Sequence, residues 1–184
     1  MLFIALLSFS INVSFGQYFK LTPEGFINAL EEKNDYIFID VPNTSQSDLF
    51  KKTNIYVNTL YNNPDFVSSK VENEQIVVDA IDSKEITVIL SMNESNILHL
   101  CYKYIFSLKD NTIKFSPHFK VLINPEHYTI DLIGVSLLGS TAGIYNKKGK
   151  CFKQKAIDEV EKCVNDFVDQ LKIALNKGAA NNDW

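Results

Sequence analysis

Arginine is missing from this chain altogether: all 18 of its basic residues are lysines. The loss is chemical as well as numerical, because the planar guanidinium is what grips phosphate, carboxylate and guanine edges through paired hydrogen bonds. Twenty-two acidic residues outweigh the lysines and leave a formal net charge of −4. The chain therefore lacks both the electrostatic attraction and the best base reader of a nucleic-acid binder, and no nucleic acid is expected among its partners. Cysteine is scarce too, at three residues, Cys101, Cys151 and Cys163. An odd count leaves at least one thiol unpaired, and no CxxC or metal-ligand spacing occurs. Cys151 precedes the last predicted helix and Cys163 lies inside it, so about 15 Å of helix would separate them, against a disulfide reach of about 7 Å. All three are expected to be free thiols that pack as small hydrophobes. Long apolar runs are also few. Beyond the N-terminus none is long and clean enough for a transmembrane helix, and no transmembrane segment is expected.

The N-terminus is the exception. Met1–Gly16 is apolar and uncharged, with Leu2, Phe3, Ile4, Leu6, Leu7 and Phe9, and closes in Val13-Ser14-Phe15-Gly16. It is too short to span a bilayer and has the length of a signal-peptide core, with small residues at Ser14 and Gly16 to suit the peptidase. Cleavage is expected between Gly16 and Gln17, which places the product in the periplasm or outside the cell. No cysteine follows the signal, so lipid anchoring is not indicated. The whole chain has 46% hydrophobic and 22% charged residues, ordinary globular values, and the remainder has length enough for one domain with a real core. The domain is expected over 17–178, with 179–184 a flexible tail.

After Leu21-Thr22-Pro23-Glu24-Gly25 a helical turn is expected through Phe26–Glu32. Asp35–Val41 alternates as a strand and ends at Pro42-Asn43. The Thr44–Ser47 cluster offers helix N-caps, and Leu49, Phe50, Thr53, Tyr56, Val57 and Leu60 then form one buried stripe up to Tyr61. Asn62-Asn63-Pro64 stops that helix. Four strands are expected next: Gln75–Ile81, with a start nearer Phe66 left open, Glu85–Met92, Ile97–Leu108 and Thr112–Pro117, with breaks at Asp82-Ser83-Lys84, Asn93–Asn96 and Lys109-Asp110-Asn111. Asp110 and Asn111 suit positive φ at a hairpin tip. Phe119–Lys150, broken by Pro125, Gly134, Gly139 and Gly143, reads as an irregular insertion. Lys153–Asn176 is an amphipathic helix with Ala156, Ile157, Val160, Cys163, Val164, Phe167, Leu171 and Leu175 on one side, and Gly178 is its expected C-cap. The order is β-α-β-β-β-β-α.

Several local phrases resemble a family of secreted bacterial proteins of unknown function, described as having a fold like that of the TATA-binding protein (TBP-like). They are Tyr36-Ile37-Phe38-Ile39 with Asp48-Leu49-Phe50, Tyr61-Asn62-Asn63-Pro64, and Ser69-Lys70-Val71-Glu72-Asn73-Glu74-Gln75-Ile76. Tyr102-Lys103-Tyr104 ahead of Lys109-Asp110-Asn111 and Lys114 completes the set, over roughly Asp35–Pro117. The resemblance implies an α+β fold, a curved antiparallel sheet with two helices on one face. It supplies no activity, substrate or catalytic residue. Minor-groove binding does not come with the fold, since it needs a basic surface and intercalating wedges.

A two-layer domain of this kind buries one sheet face beneath its helices and leaves the other for solvent or a partner. Strand alternation puts Tyr36, Phe38, Asp40, Thr87, Ile89, His99, Cys101, Lys103 and Lys114 on the open face. This half-apolar set has the composition of a ligand- or protein-binding surface. The same composition suits an ordinary solvated outer face, or one covered by Phe119–Lys150. It also sets Cys101 and Cys163 on opposite sides of the sheet.

No catalytic constellation stands out. His118, His127 and Glu126 match no metal-ligand spacing. Gly139-Ser140-Thr141-Ala142-Gly143 is neither a nucleophile elbow nor a phosphate loop. His99 and Cys101 lie two apart on one strand with no orienting carboxylate. Glu72, Glu74 and Glu85 read as a solvated edge. Asn43-Thr44-Ser45 and Asn93-Glu94-Ser95 are glycosylation sequons in form only. The expectation is an exported, non-enzymatic binding or interaction module with no cofactor, its partner an unknown protein or small ligand. The alternative is a small-molecule carrier or hydrolase with a pocket under residues 119–150. A structural envelope protein, associating through an exposed strand edge, is a third reading.

Overall fold

The computed structural model describes residues 16–91, 94–134, 136–137, 140–141 and 143–177. The signal-peptide core, the Gly178 cap and the 179–184 tail lie outside the described residues, as do Asn93 of the second sequon and Gly139 and Ala142 of the glycine-flanked loop. The elements are β1 (Phe19–Thr22), β2 (Gly25–Asn28), β3 (Ile37–Asp40), α1 (Gln46–Leu60), a single-turn α2 (Pro64–Val67), β4 (Ser68–Val71), β5 (Gln75–Ser91), β6 (Glu94–Lys109), β7 (Thr112–Ile123), β8 (Thr129–Gly134), β9 (Ser136–Leu137), β10 (Ser140–Thr141), β11 (Gly143–Asn146) and α3 (Gln154–Lys177). The architecture is α+β and mostly sheet.

The main sheet runs β11-β8-β7-β6-β5-β4, with β3 paired to β7 as well. β3 holds the Thr112–Phe115 end of β7, and β8 holds its far end at Leu122 and Ile123. All pairings are antiparallel except β8 with β11. The core sits between this sheet and the helices. Even-numbered residues of β6, from Leu98 through Leu108, are buried, with Ile76, Val78, Ile86 and Val88 of β5 and Ile113 and Phe115 of β7 beside them. Against them α3 lays the expected stripe from Ala156 to Leu175, in which only Phe167 is half-buried, and Val168 joins it. The Phe167 ring stacks on Phe115 at 5.6 Å and tilts against Tyr104 at 4.7 Å. α1 follows its predicted stripe at Leu49, Thr53 and Val57, while Leu60 is exposed.

Four expectations are corrected. First, the segment predicted as a helical turn over Phe26–Glu32 is instead the second strand of a hairpin, β1–β2. Gly25, at φ 116°, makes the turn that lets Phe19, Leu21 and Phe26 all reach the core, and the Asn28 side chain then accepts from the Leu30 and Glu31 amides. Helix propensity around Leu30 finds nothing to pack on, and that side chain is 90% exposed.

Second, Asp82-Ser83-Lys84 is no reversal: β5 runs through it as one strand, and Asp82 Oδ1 takes the Lys84 amide within it. Between Ile81 and Glu85 the strand spends four steps where β6 spends two, from Cys101 to His99. An even excess keeps alternate side chains on their faces, so Ile86 and Val88 still point to the helices. Third, Asn93–Asn96 is not a four-residue turn, because pairing is regained at Ser91 and Glu94.

Fourth, residues 119–150 are in large part strand. β7 continues to Ile123 past a bulge at Cys101/Tyr102, and β8 and β11 extend the sheet. Gly143 belongs there for a spatial reason: a Cβ on it would overlap the backbone of Ile133 and Gly134 on β8. The early strand start left open near Phe66 is a separate strand, β4, whose hairpin with β5 turns at Asn73, φ 59°.

Candidate functional site

The helix-free sheet face carries the predicted residues. Tyr36, Thr87, His99, Cys101 and Lys114 are half-buried; Phe38, Asp40, Ile89 and Lys103 are exposed. They do not form one compact site. Phe38 stands opposite Lys114, which stands opposite Ser107 on β6, while Thr87, Ile89 and Ile97 lie beyond His99 on the β5–β6 arm. Eight residues of strand, about 27 Å, separate Ser107 from His99.

At the β3 end the Lys114 ammonium sits 3.9 Å from the Tyr36 ring centre, and Tyr36 meets Phe38 edge to face at 5.3 Å. Such cation–π and T-shaped contacts fix the orientation of otherwise mobile side chains. The middle of the face is charged. Lys120, the extra residue of the β7 bulge, reaches across β6 to Asp79 on β5 at 2.7 Å. This pair brackets Cys101, whose thiol pKa is raised mainly by burial; the Lys120 charge opposes that rise and the Asp79 charge adds to it. At the far end Ile89 and Ile97 are each 51% exposed, with Thr87 paired to Ile97 between them. The Thr87 amide turns outward to the Glu159 carboxylate of α3, which caps this otherwise open strand edge.

The arrangement is suited to contact more than to bond making. The ring of His99 places Nδ1 3.2 Å from the Lys84 carbonyl oxygen. A nucleophilic cysteine needs a lowered pKa, and Cys101 is shifted the other way. Cys163 is buried on the helix side of the sheet, opposite Cys101, and burial pushes its thiol up to about 12. All three cysteines are free. Among the described residues no group of three or more His, Cys, Asp or Glu is placed to hold a metal ion. His127 occupies a left-handed position, φ 64°, in the β7–β8 turn, where Glu126 accepts from the Asn124 side chain. Glu72, Glu74 and Glu85 are solvent-exposed.

Sequence reasoning missed a second concave feature. On the helix side, where the end of α1 faces α3 and β5, a cavity of about 260 Å³ is lined by Tyr56, Tyr61, Tyr102, Asp82, Cys163 and Phe167 among others. The Tyr61 and Tyr102 hydroxyls form a hydrogen bond at 2.5 Å, although the residues are 41 apart in sequence. Burial raises the pKa of both phenols and of Tyr56, so all three stay protonated. Tyr56 reads as a core stripe residue because its ring does pack; that the hydroxyls of Tyr61 and Tyr102 meet depends on α1 and β6 being brought together. The one local signal was the polar Asp82-Ser83-Lys84 interruption in an apolar strand. A shallower cavity of about 610 Å³ lies between Pro23-Glu24 and Asn146–Gly149 with Ile133, at the margin of the 119–150 segment.

No protein-family model and no curated protein matches the sequence. Among solved structures the chain is similar to a TBP-like protein from Parabacteroides distasonis, at 18% identity and TM-score 0.47, covering 80% of this chain and 92% of that one. It is also similar to a DUF4468 family protein from Bacteroides ovatus, at 13% identity and TM-score 0.47, covering 81% and 88%. The first of these two proteins carries in its description the same fold name, TBP-like, that the sequence resemblance implied. Among the described residues no helix is long and apolar enough to cross a membrane.

Proposed function

We propose that this is an exported, non-enzymatic binding module, acting in the periplasm or outside the cell, that meets a protein partner with its helix-free sheet face. The observation that carries this reading is the pair Ile89 and Ile97, half-exposed on the β5–β6 arm and on the same face as His99 and Cys101. Phe38, 61% exposed, adds a second apolar contact at the β3 end, and the charged Asp79–Lys120 strip between them supplies polar complementarity. Exposed aromatic and aliphatic side chains serve as anchors at protein interfaces, with polar groups around them. The raised thiol pKa of Cys101 and the backbone contact of His99 support a non-catalytic role. Residues 119–150 contribute β8 and β11 to the sheet, which favours the open face over a pocket beneath that segment.

The test is retention of a partner by the tagged protein in the cells that make it. Ile89→Lys with Ile97→Lys alters two half-exposed side chains, so it is expected to fold and to lose a partner that wild type retains. Ile55→Lys, an exposed change on α1, is expected to keep that partner. Equal retention by all three proteins would contradict the assignment of the face.

A further inference from the structure

The cavity between α1, α3 and β5 lies on the opposite side of the sheet from the proposed docking face and has features that packing alone does not explain. Its volume, about 260 Å³, falls just below the roughly 300–1,000 Å³ of drug-sized pockets, so it suits a small head group. We propose that it binds a small organic cation, an alkylammonium group seated against Asp82 among the rings of Tyr56, Tyr61 and Tyr102.

The charge balance of the wall points to a cation. Asp82 lines the cavity and forms no ion pair among the described residues; its Oδ1 accepts only the Lys84 amide, at 2.8 Å. Lys84, the lysine on the same wall, is already committed to Asp166 at 3.0 Å, and Asp166 is shared with Lys162 at 2.8 Å. A carboxylate beside three phenol rings attracts an ammonium twice, through its charge and through the negative ring faces.

Polar groups also gather behind the wall. The Tyr104 hydroxyl is not on the cavity lining; it is buried beside Tyr102 with no hydrogen-bond partner among the described residues. Its ring stacks on Tyr102 at 4.0 Å, and the charges and hydroxyls that bear on it are those of Tyr102, Asp82, Cys163 and Tyr61, all of them on the cavity wall.

Calorimetric titration of the purified protein tests this, with choline, phenethylammonium and 3,3-dimethylbutan-1-ol, the last a neutral isostere of choline. One or both ammonium compounds are expected to bind at a single site, at least about tenfold more tightly than the isostere. Asp82→Asn keeps an oxygen for the Lys84 amide and is expected to weaken that binding at least about tenfold with the melting temperature unchanged. If that variant fails to fold, Tyr61→Leu, at a half-buried position, is expected to give the same loss. Equal binding of the isostere, no binding of either ammonium at about 10 mM, or undiminished affinity in the folded variant would overturn the proposal. Since the cavity and the docking face are distinct, failure here leaves the partner-retention result standing.

Discussion

Asn165 shows how much one polar side chain on α3 can organise. Its Oδ1 accepts the amides of Tyr18 and Phe19, each at 2.9 Å, and its Nδ2 donates to the Phe19 carbonyl at 3.2 Å. Phe19 is fully buried, so these backbone groups have no water to fall back on. Asn165→Ala is expected to cost about 2 kcal/mol in urea unfolding, the range for stranding a buried donor; a loss within experimental error would show that β1 is held without the Asn165 hydrogen bonds. Burial also gives the molecule an alkaline limit. The Cys163 thiol and the phenols of Tyr18 and Tyr145 are all pushed up to about 12, mainly by desolvation. Between about pH 9 and 12 the unfolded chain releases protons that the folded chain keeps, so stability is whole below that window and falls as pH rises through it. The urea midpoint should decline from about pH 9 upward, and Cys163→Ala should make the early part of that decline shallower. A flat profile would mean these groups ionise freely in the folded state.

At the scale of elements, those with a purely local cause were readable. The N-cap cluster ahead of α1 resolves to Ser45, whose hydroxyl oxygen accepts the Asp48 amide at 3.2 Å and donates to its carboxylate at 2.7 Å. Ser45→Ala should lower stability by about 1 kcal/mol in the same unfolding assay; no change would assign the helix start to the Gln46 amide, which donates to Asp110 at 2.8 Å. Asn111 takes the positive φ, 64°, that its type suggested for the hairpin tip. The errors arise where tertiary contacts override local chemistry. Asp82-Ser83-Lys84 has turn composition, yet the strand continues because Ile86 and Val88 find the core beyond it. Likewise the Phe26 segment becomes a strand because Phe19 and Phe26 meet edge to face at 6.4 Å in the core. Neither partner is visible within a short window of sequence.

For the whole molecule, period-two alternation was enough to sort side chains onto two faces, since every strand of the meander obeys one helix layer. It could not show that the predicted surface is two apolar ends parted by the Asp79–Lys120 pair, because that pair depends on a bulge which aims Lys120 across a strand. Nor could it reveal the tyrosine cavity, built from α1, β5, β6 and α3 together. The result is a sheet with two unlike sides: a helix-free face with apolar side chains at both ends, and a small polar-aromatic hollow among the helices. Site-specific photo-crosslinking in the producing cells tests the docking claim most directly. A photoreactive residue would be placed in turn at Phe38, Ile97, Ile55 and Ile173, all exposed, the first two on the helix-free face and the others on α1 and α3. Capture of the same partner from Phe38 and Ile97 but not from the helix positions is the predicted result; capture from Ile55 or Ile173 alone would place the interface on the helices and contradict it.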